Sequence, residues 1–228
     1  MNILNAGTSG DYHLHTSTFS DGLNSLDEVV RQAGELRLGE IAVTDHSQAY
    51  LDSCGMPMRT HYRIFSEGRW RNVHNRVRVI AGVEADLMNE QGDVCDHIQG
   101  IRPDFVILST HSTVYRGDPK KLKSGYLTAI RRHGARIRLL GHLCSSSFSA
   151  HLDAEAVSEI VEAANAAGIA VELNCAHLVN GKTCLASLAA MLAACNTLYV
   201  NSDAHTLYEL VSLREQGFRY LASAFPSA

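Results

Sequence analysis

An α/β fold with a parallel sheet, closed or nearly closed into a barrel, is predicted by three observations. Seven short β-rich runs recur along the 228 residues, helical patterns separate most of them, and a polar residue ends or closely follows every run. Strands that alternate with helices pair in parallel and are buried on both faces. Seven such units in one domain favour closure. An open doubly wound sheet is the alternative, but no glycine-rich phosphate loop follows the first run, so its nucleotide-binding versions lose support.

The elements follow in order. The first run is "DYHLH" (11–15), and the helical stretch "SLDEVVRQAGELRL" comes after it. Ser25 is a plausible N-cap there, with Glu28 three residues on, a capping-box signature. The second run, "EIAVT" (40–44), leads into residues 45–76, the least readable part, expected as a loop and then a basic, partly amphipathic helix in "MRTHYRIFSEGRWRNVHNR". Next come "VRVIAGV" (77–83) and "DFVILS" (104–109), an exposed helix start at "PKKLK" (119–123), and "KLKSGYLTAIRRHG" ending at Gly134. After "RIRLLG" (136–141), "DAEAVSEIVEAANAAG" opens at Asp153 and stops at Gly168, an expected C-cap glycine. "IAVELN" (169–174) and "TLYVN" (197–201) complete the strands, and "TLYELVSLREQG" is expected to end at Gly217. One domain over 1–228 accommodates all of this.

Composition narrows the function classes. At 46% hydrophobic and 19% charged residues with a net charge of −4, the chain has no overall basic field to favour nucleic acid. The longest apolar run, "LASLAAMLAAC", is far shorter than the ~20 residues of a membrane span. "MNILNAGTSG" lacks the basic start and apolar segment of a secretory leader. Six cysteines without a Cys-x-x-Cys pair read as reduced, mostly buried thiols, and a cytoplasmic location is expected.

The strand ends carry the chemistry. Residues i and i+2 of a strand share a face, so His13 and His15 should point one way, with Tyr12 and Leu14 opposite. "NSDAH" repeats the spacing with Asp203 and His205. In "TDH", His46 is the expected ligand and Asp45 its partner, orienting an imidazole. Glu84, His111, His142 and then Glu172 or Asn174 end the remaining strands. Asp21, in "SDG", reads as a ligand or as a turn former. The rim at these ends is where α/β barrels build active sites. Six histidines with Asp21, Glu84 and Asp203 exceed the needs of one ion, so two or three divalent ions bridged by a carboxylate are expected. Imidazole with carboxylate suits zinc, manganese or iron. The other six histidines default to surface or helix positions, with His177 a partial exception beyond the sixth strand.

Taken together, "HLHTSTFSDG", "AVTDHS", "AGVEADLMNEQGDV", "VILSTHS", "LLGH", "VELN" and "VNSDAH", in this order over residues 11–205, resemble a PHP (polymerase and histidinol phosphatase) domain. The resemblance implies a distorted seven-stranded (β/α)7 barrel with a trinuclear metal centre. It places one ion on His13, His15, Glu84 and Asp203, a second on Glu84, His111 and His142, and a third on Asp21, His46 and His205, with Glu84 bridging. "EADLMNEQGDVCDHIQGIRPDFVILSTH" is most similar to small phosphoesterase members and to the PHP domains of family X DNA polymerases. The chain departs from that branch at "GHLCSSS", which lacks a proline after His142, and at "ELNCAHLVNGK", where His177 or Lys182 stands in for an arginine.

The function so implied is a metal-dependent phosphoric ester hydrolase, first of all a small-molecule phosphomonoesterase acting on histidinol phosphate, a sugar phosphate or a nucleotide. A metal-bound hydroxide would be the nucleophile and Glu84, Asp203 and His205 the catalytic side chains. Arg59, His61, Arg63, Arg116 and His177 are the candidates for holding substrate. A phosphodiesterase or 3′-exonuclease would instead need a basic groove with stacking aromatics, for which Tyr50, Tyr62, Trp70 and Tyr115 are available. A non-catalytic, metal-stabilised module is the third reading.

Overall fold

The computed structural model describes residues 1–56, 60–66 and 69–224. The chain opens with β1 (Asn2–Ile3), a two-residue strand that no periodicity signals, and β2 (Gly10–Asp11). Helix α1 (Leu26–Glu35) starts where expected. The Ser25 side chain accepts from the Glu28 amide, Glu28 reaches back to the Ser25 amide, and Leu26, Val29, Val30 and Ala33 form its buried stripe. β3 (Glu40–Val43) follows.

Residues 45–76 do not form the expected basic helix. Among the described residues they hold two short helices, α2 (Gln48–Ser53) and α3 (Arg63–Ser66). The aromatic side chains of this stretch explain the difference. Phe19, Tyr62 and Phe65 pack on one another, Trp70 meets Phe65 edge-on, and the Tyr62 hydroxyl donates to the Gly82 carbonyl at 2.8 Å. Burying a non-periodic aromatic cluster pins a loop more firmly than helical propensity extends a helix.

The remainder is β4 (Arg78–Leu87), β5 (Val94–Cys95), β6 (Phe105–Ser109), α4 (Leu122–His133), β7 (Ile137–Leu140), α5 (Ala154–Ala166), β8 (Ala170–Asn174), α6 (Cys175–Val179), α7 (Leu185–Ala194), β9 (Thr197–Asn201) and α8 (Leu207–Ala224). Pro119–Lys121 is a 3-10 turn leading into α4, as the helix start there required. Asp153 caps α5 through the Ala156 amide, and Gly168 ends it at a φ of +71°. α8 runs through Gly217 instead of stopping there. A Cβ at that position would lie 2.4 Å from Cys175 Sγ and 3.1 Å from Val200 Cγ1, so the glycine is a site of close packing.

Every strand pair along the path β1-β9-β8-β7-β6-β4-β3-β2 is parallel, and the short β5 joins β4 antiparallel. The curled sheet meets itself at a seam between β2 and β9. A parallel bridge links Leu14 to Ala204, and the His15 amide donates to the Ala204 carbonyl at 3.0 Å. Below it, side chains replace the backbone ladder. Tyr12 donates its amide to Asn201 Oδ1 at 3.1 Å, Ser202 donates its amide to Asp11 Oδ1 at 3.1 Å, and Asn5 pairs with the Val200 amide and carbonyl at 2.8 and 2.9 Å. Buried Arg214 of α8 donates to the carbonyls of Val200 and Asn5 at 3.0 and 2.7 Å.

Inside the barrel, side chains stack in layers. Tyr12 packs on Phe105 and Tyr199 as a floor, and its hydroxyl donates to Glu40. Tyr12 and Leu14 therefore do not share a face, contrary to expectation, because regular strand geometry ends at Asp11. Leu14 instead joins an outer core with Val29, Val30, Ile41 and Val83. Above the floor come Ile107, Leu139 and Ala170, and beyond these the buried polar side chains of the strand ends. A second outer core, built on β6 to β9, takes the inner faces of α4, α5, α7 and α8.

Candidate metal centre

The polar layer is organised around Glu84, which is fully buried near the end of β4. Its carboxylate lies within 3.6 Å of five imidazoles: His46 and His142 at 2.8 Å, His13 at 3.4 Å, and His15 and His111 at 3.6 Å. Asp203 stands 3.2 Å from His15 and 3.5 Å from His13. Asp21 closes the outer side, 3.4 Å from His46, 3.5 Å from His205 and 3.9 Å from His15. The structure thus brings together the nine residues expected as metal ligands: the eight from strand ends and Asp21 from the "SDG" turn. Three groups have donor atoms mutually within 4.8 Å: His13, His15 and Glu84; His46, Glu84 and His111; and His15, Asp21, His46 and His205. His46 and His15 fall between neighbouring groups, and the expected sets did not anticipate that sharing.

The donor set fits divalent ions. Buried His13 Nε2, both nitrogens of His15, His46 Nδ1 and Asp21 Oδ1 make no hydrogen bond in the protein, although an orphaned buried polar atom is costly. Imidazole nitrogens and carboxylate oxygens converging in this way are what zinc and similar cations take. The backbone is strained here too, with φ of +26° at His142 and +55° at Asp203.

Electrostatics gives the same picture. Burial disfavours charge on every group, yet the neighbouring imidazoles hold Glu84 and Asp203 well below the ordinary carboxylate range. Burial likewise opposes a charge on His46, but Glu84 and Asp21 outweigh it and raise its pKa to about 10. His205 rises to about 9 against its burial, through Asp21 and Asp203. His15 drops to about 3, because burial and the adjacent His205 and His46 leave no room for another proton. The three carboxylates demand positive charge, and protons and metal ions compete for the same nitrogens.

Two carboxylates that orient these imidazoles were not singled out for that role in the sequence. Glu172 accepts at 2.9 Å from His13 Nδ1 and from Asn201, and its other oxygen accepts from the His142 amide at 3.0 Å. Asp86 pairs with His111 Nδ1 at 2.7 Å and accepts from the Ser47 hydroxyl at 2.6 Å. The i, i+2 rule that paired His13 with His15 would have found Asp86, two residues beyond Glu84 on the same face of β4. Asp45, expected to orient an imidazole, instead accepts from the Thr16 amide and hydroxyl at 2.6 and 2.8 Å and from Ser20, and so shapes the loop that carries Asp21.

A bowl of about 410 Å³ opens over the cluster, lined by His46, Tyr50, Glu84, His111, His142, His177, Lys182, Asp203, His205 and neighbouring residues. Of the expected substrate-holding residues, only His177 lines it, stacked on His142 at 4.8 Å. His61 and Arg63 are exposed and Arg116 folds onto the Thr113 and Tyr115 carbonyls, so none of the three borders the bowl; Arg59 lies outside the described residues. Tyr62 and Tyr115 are buried, which leaves Tyr50 as the one bowl-lining member of the four aromatics considered for nucleic-acid stacking.

Residues 11–222 match the model of the PHP domain. The chain belongs to the PHP domain family. Among curated PHP relatives, a Vibrio atlanticus protein named "Probable phosphatase" is 32% identical over 168 residues, which cover 72% of this chain and 62% of that protein. A "Probable phosphatase" of Pectobacterium atrosepticum is 25% identical over 207 residues, 88% of this chain and 80% of its own. This PHP chain therefore spans less than two thirds of the Vibrio relative. Among solved structures, the histidinol phosphate phosphatase of Lactococcus lactis, complexed with zinc, L-histidinol and phosphate, superposes with a TM-score of 0.53. That match covers 92% of this chain and 93% of the other at 16% identity, a likeness of fold: the distorted PHP barrel.

Proposed function

We propose that the chain is a metal-dependent phosphoesterase that hydrolyses small phosphomonoesters. The observation that carries this reading is the set of orphaned imidazole and carboxylate atoms converging on Glu84 beneath an open bowl. Phosphatase relatives and a phosphatase neighbour of the same fold support it.

Two to three divalent ions would be held by His13, His15, Glu84 and Asp203, by Glu84, His111 and His142, and by Asp21, His46 and His205. When bound, such ions supply an activated water and positive charge for the phosphoryl oxygens. The chain's own groups do the rest. Glu84 belongs to two of the three ligand sets and fixes their spacing. Glu172 and Asp86 hold His13 and His111 in register, so those imidazoles present Nε2 to the centre. His205, with Nδ1 3.1 Å from the Asp203 carbonyl, turns Nε2 towards Asp21 at 3.5 Å and so presents it to the third ligand set at the edge of the bowl. Barrel walls and the stacked Tyr50 ring, 3.7 Å from His46, limit water on the α2 side.

The test is elemental analysis of purified protein, followed by assay of the same sample with p-nitrophenyl phosphate and bis-p-nitrophenyl phosphate, with and without manganese or zinc. Two or more ions per chain with monoester turnover is the expected result. Diester preference would redirect the reading to nucleic acids, and failure to bind metal under any reconstitution would end it.

A further inference from the structure

Two cavities flank the bowl, and they differ in chemistry. One, of about 310 Å³, shares Tyr50, His111, His142, His177 and Lys182 with the bowl and is therefore continuous with it. Exposed Ser112, Thr113 and Ser147 line it together with Ser145 and Phe148. The other, of about 290 Å³, is lined by Phe19, Leu51 and Met56 together with Ser17, Ser20, Asp21, Gln48 and Gln99, and shares no lining residue with the bowl. Helix α2 divides them: Gln48 and Leu51 line the second cavity, and Tyr50 lines the groove and bowl.

Among the described residues, Lys182 is the one lysine or arginine lining the bowl or the groove, and its ammonium makes no ion pair. Its backbone is pinned on both sides. The Lys182 amide donates to the His177 carbonyl at 2.8 Å, and the Ser146 amide donates to the Lys182 carbonyl at 2.7 Å. Thr183 bridges to Ser145, so the lysine is fixed to the groove wall that carries the serines. The side-chain hydroxyls of Ser112, Thr113 and Ser147 have no partner among the described residues.

Resting on the phosphoesterase reading above, we infer that the substrate is a polyhydroxylated phosphomonoester of the sugar-phosphate class. Its alcohol lies in the serine-threonine groove, and Lys182, at the junction with the bowl, holds its phosphate. Water adds its oxygen to phosphorus, the phosphorus–oxygen bond to the alcohol breaks, and the alcohol leaves with a proton as the free polyol beside inorganic phosphate. An ammonium suits phosphate as a point charge, and free hydroxyls both donate to and accept from a polyol. The other cavity, across α2, has hydroxyls of its own on Ser17 and Ser20, but its lining carries the Asp21 carboxylate and, among the described residues, no cation to hold a phosphate.

The experiment uses metal-loaded protein and steady-state kinetics with ribose 5-phosphate and p-nitrophenyl phosphate. Lys182→Met should raise KM for both esters ~10-fold with a smaller change in kcat, since both carry the phosphate. The double variant Ser112→Ala/Ser147→Ala should lower kcat/KM for ribose 5-phosphate ~10-fold more than for p-nitrophenyl phosphate. Met56→Ala, across α2, should leave the ratio of the two unchanged. An unshifted ratio in the serine variant, or a ratio moved by Met56→Ala, overturns the groove assignment while leaving the phosphoesterase intact. Turnover of neither ester by fully loaded protein removes the phosphoesterase reading and the groove with it.

Discussion

The seam and the rim of this barrel are both dense in buried polar side chains, yet they treat them in opposite ways. At the seam, Asn5, Asn201 and Arg214 spend their donors and acceptors on backbone and on one another, bridging the gap that β2 and β9 leave. At the rim, His13, His15, His46 and Asp21 keep buried atoms without hydrogen-bond partners. A satisfied polar cluster holds a fold together, whereas an unsatisfied one is shaped for something that arrives later. Asp11 Oδ2 is the exception at the seam, buried without a partner; otherwise partner count separates seam from rim better than residue type does, since asparagine and aspartate occur in both.

The contrast can be broken by substitution. Glu84→Gln should have the largest effect, because one oxygen of a shared carboxylate is lost to two ligand sets. A loss of ~4 kcal/mol of transition-state stabilisation corresponds to about 10³-fold in kcat/KM. At least one ion per chain should disappear from the elemental analysis, and full metal content with full turnover would refute the shared-ligand assignment.

Arg214→Met attacks the seam instead. Removing a buried cation that serves the Val200 and Asn5 carbonyls should cost ~3 kcal/mol, lowering Tm by about 6–12 °C in calorimetry. Ions bound per folded chain should stay constant. If metal content fell in step with stability, seam and rim would be one cooperative unit.

Asp86→Asn and Glu172→Gln should weaken metal affinity about 10–100-fold, measurable by competition with a chromogenic chelator. The mildest test needs no mutation. With His46 raised to about 10 and His205 to about 9, both imidazoles carry protons at pH 7.5 in metal-free protein. Metal uptake should expel them, releasing protons into a weakly buffered dye solution. The release should shrink as pH rises through 9 to 10, where those nitrogens are already bare. No release at pH 7.5 would place the ions elsewhere.

Much of this was legible in the sequence because strand periodicity and histidine spacing are local signals. The six strands of four residues or more and the nine expected ligands need only a period of two and a view of what ends or follows each run. The orienting role of Asp86 escaped because "EAD" reads as one acidic ligand with an ordinary neighbour, and that of Glu172 because its partners lie 30 and 159 residues away. Arg214 resembles any solvated helix charge until β9 is packed against it. Gly217 reads as a stop because glycine costs a helix ~1 kcal/mol, and only the Cys175 contact shows why that cost is accepted. The two-residue strands β1 and β5 are too short to carry a period.

The seam also sets a schedule. Its closing contacts, Asn5 to Val200 and Leu14 to Ala204, join residues far apart in sequence, 195 positions in the first case. A ribosome delivers His13 and His15 early, but Asp203 and His205 only with the last strand and helix. Contacts so distant in sequence form late and slowly. The nascent chain therefore carries a histidine pair that cannot assemble the full nest until Asp203 and His205 have been made. A truncated product, even one with most of its strands, would lack the Asp203 and His205 side of the centre.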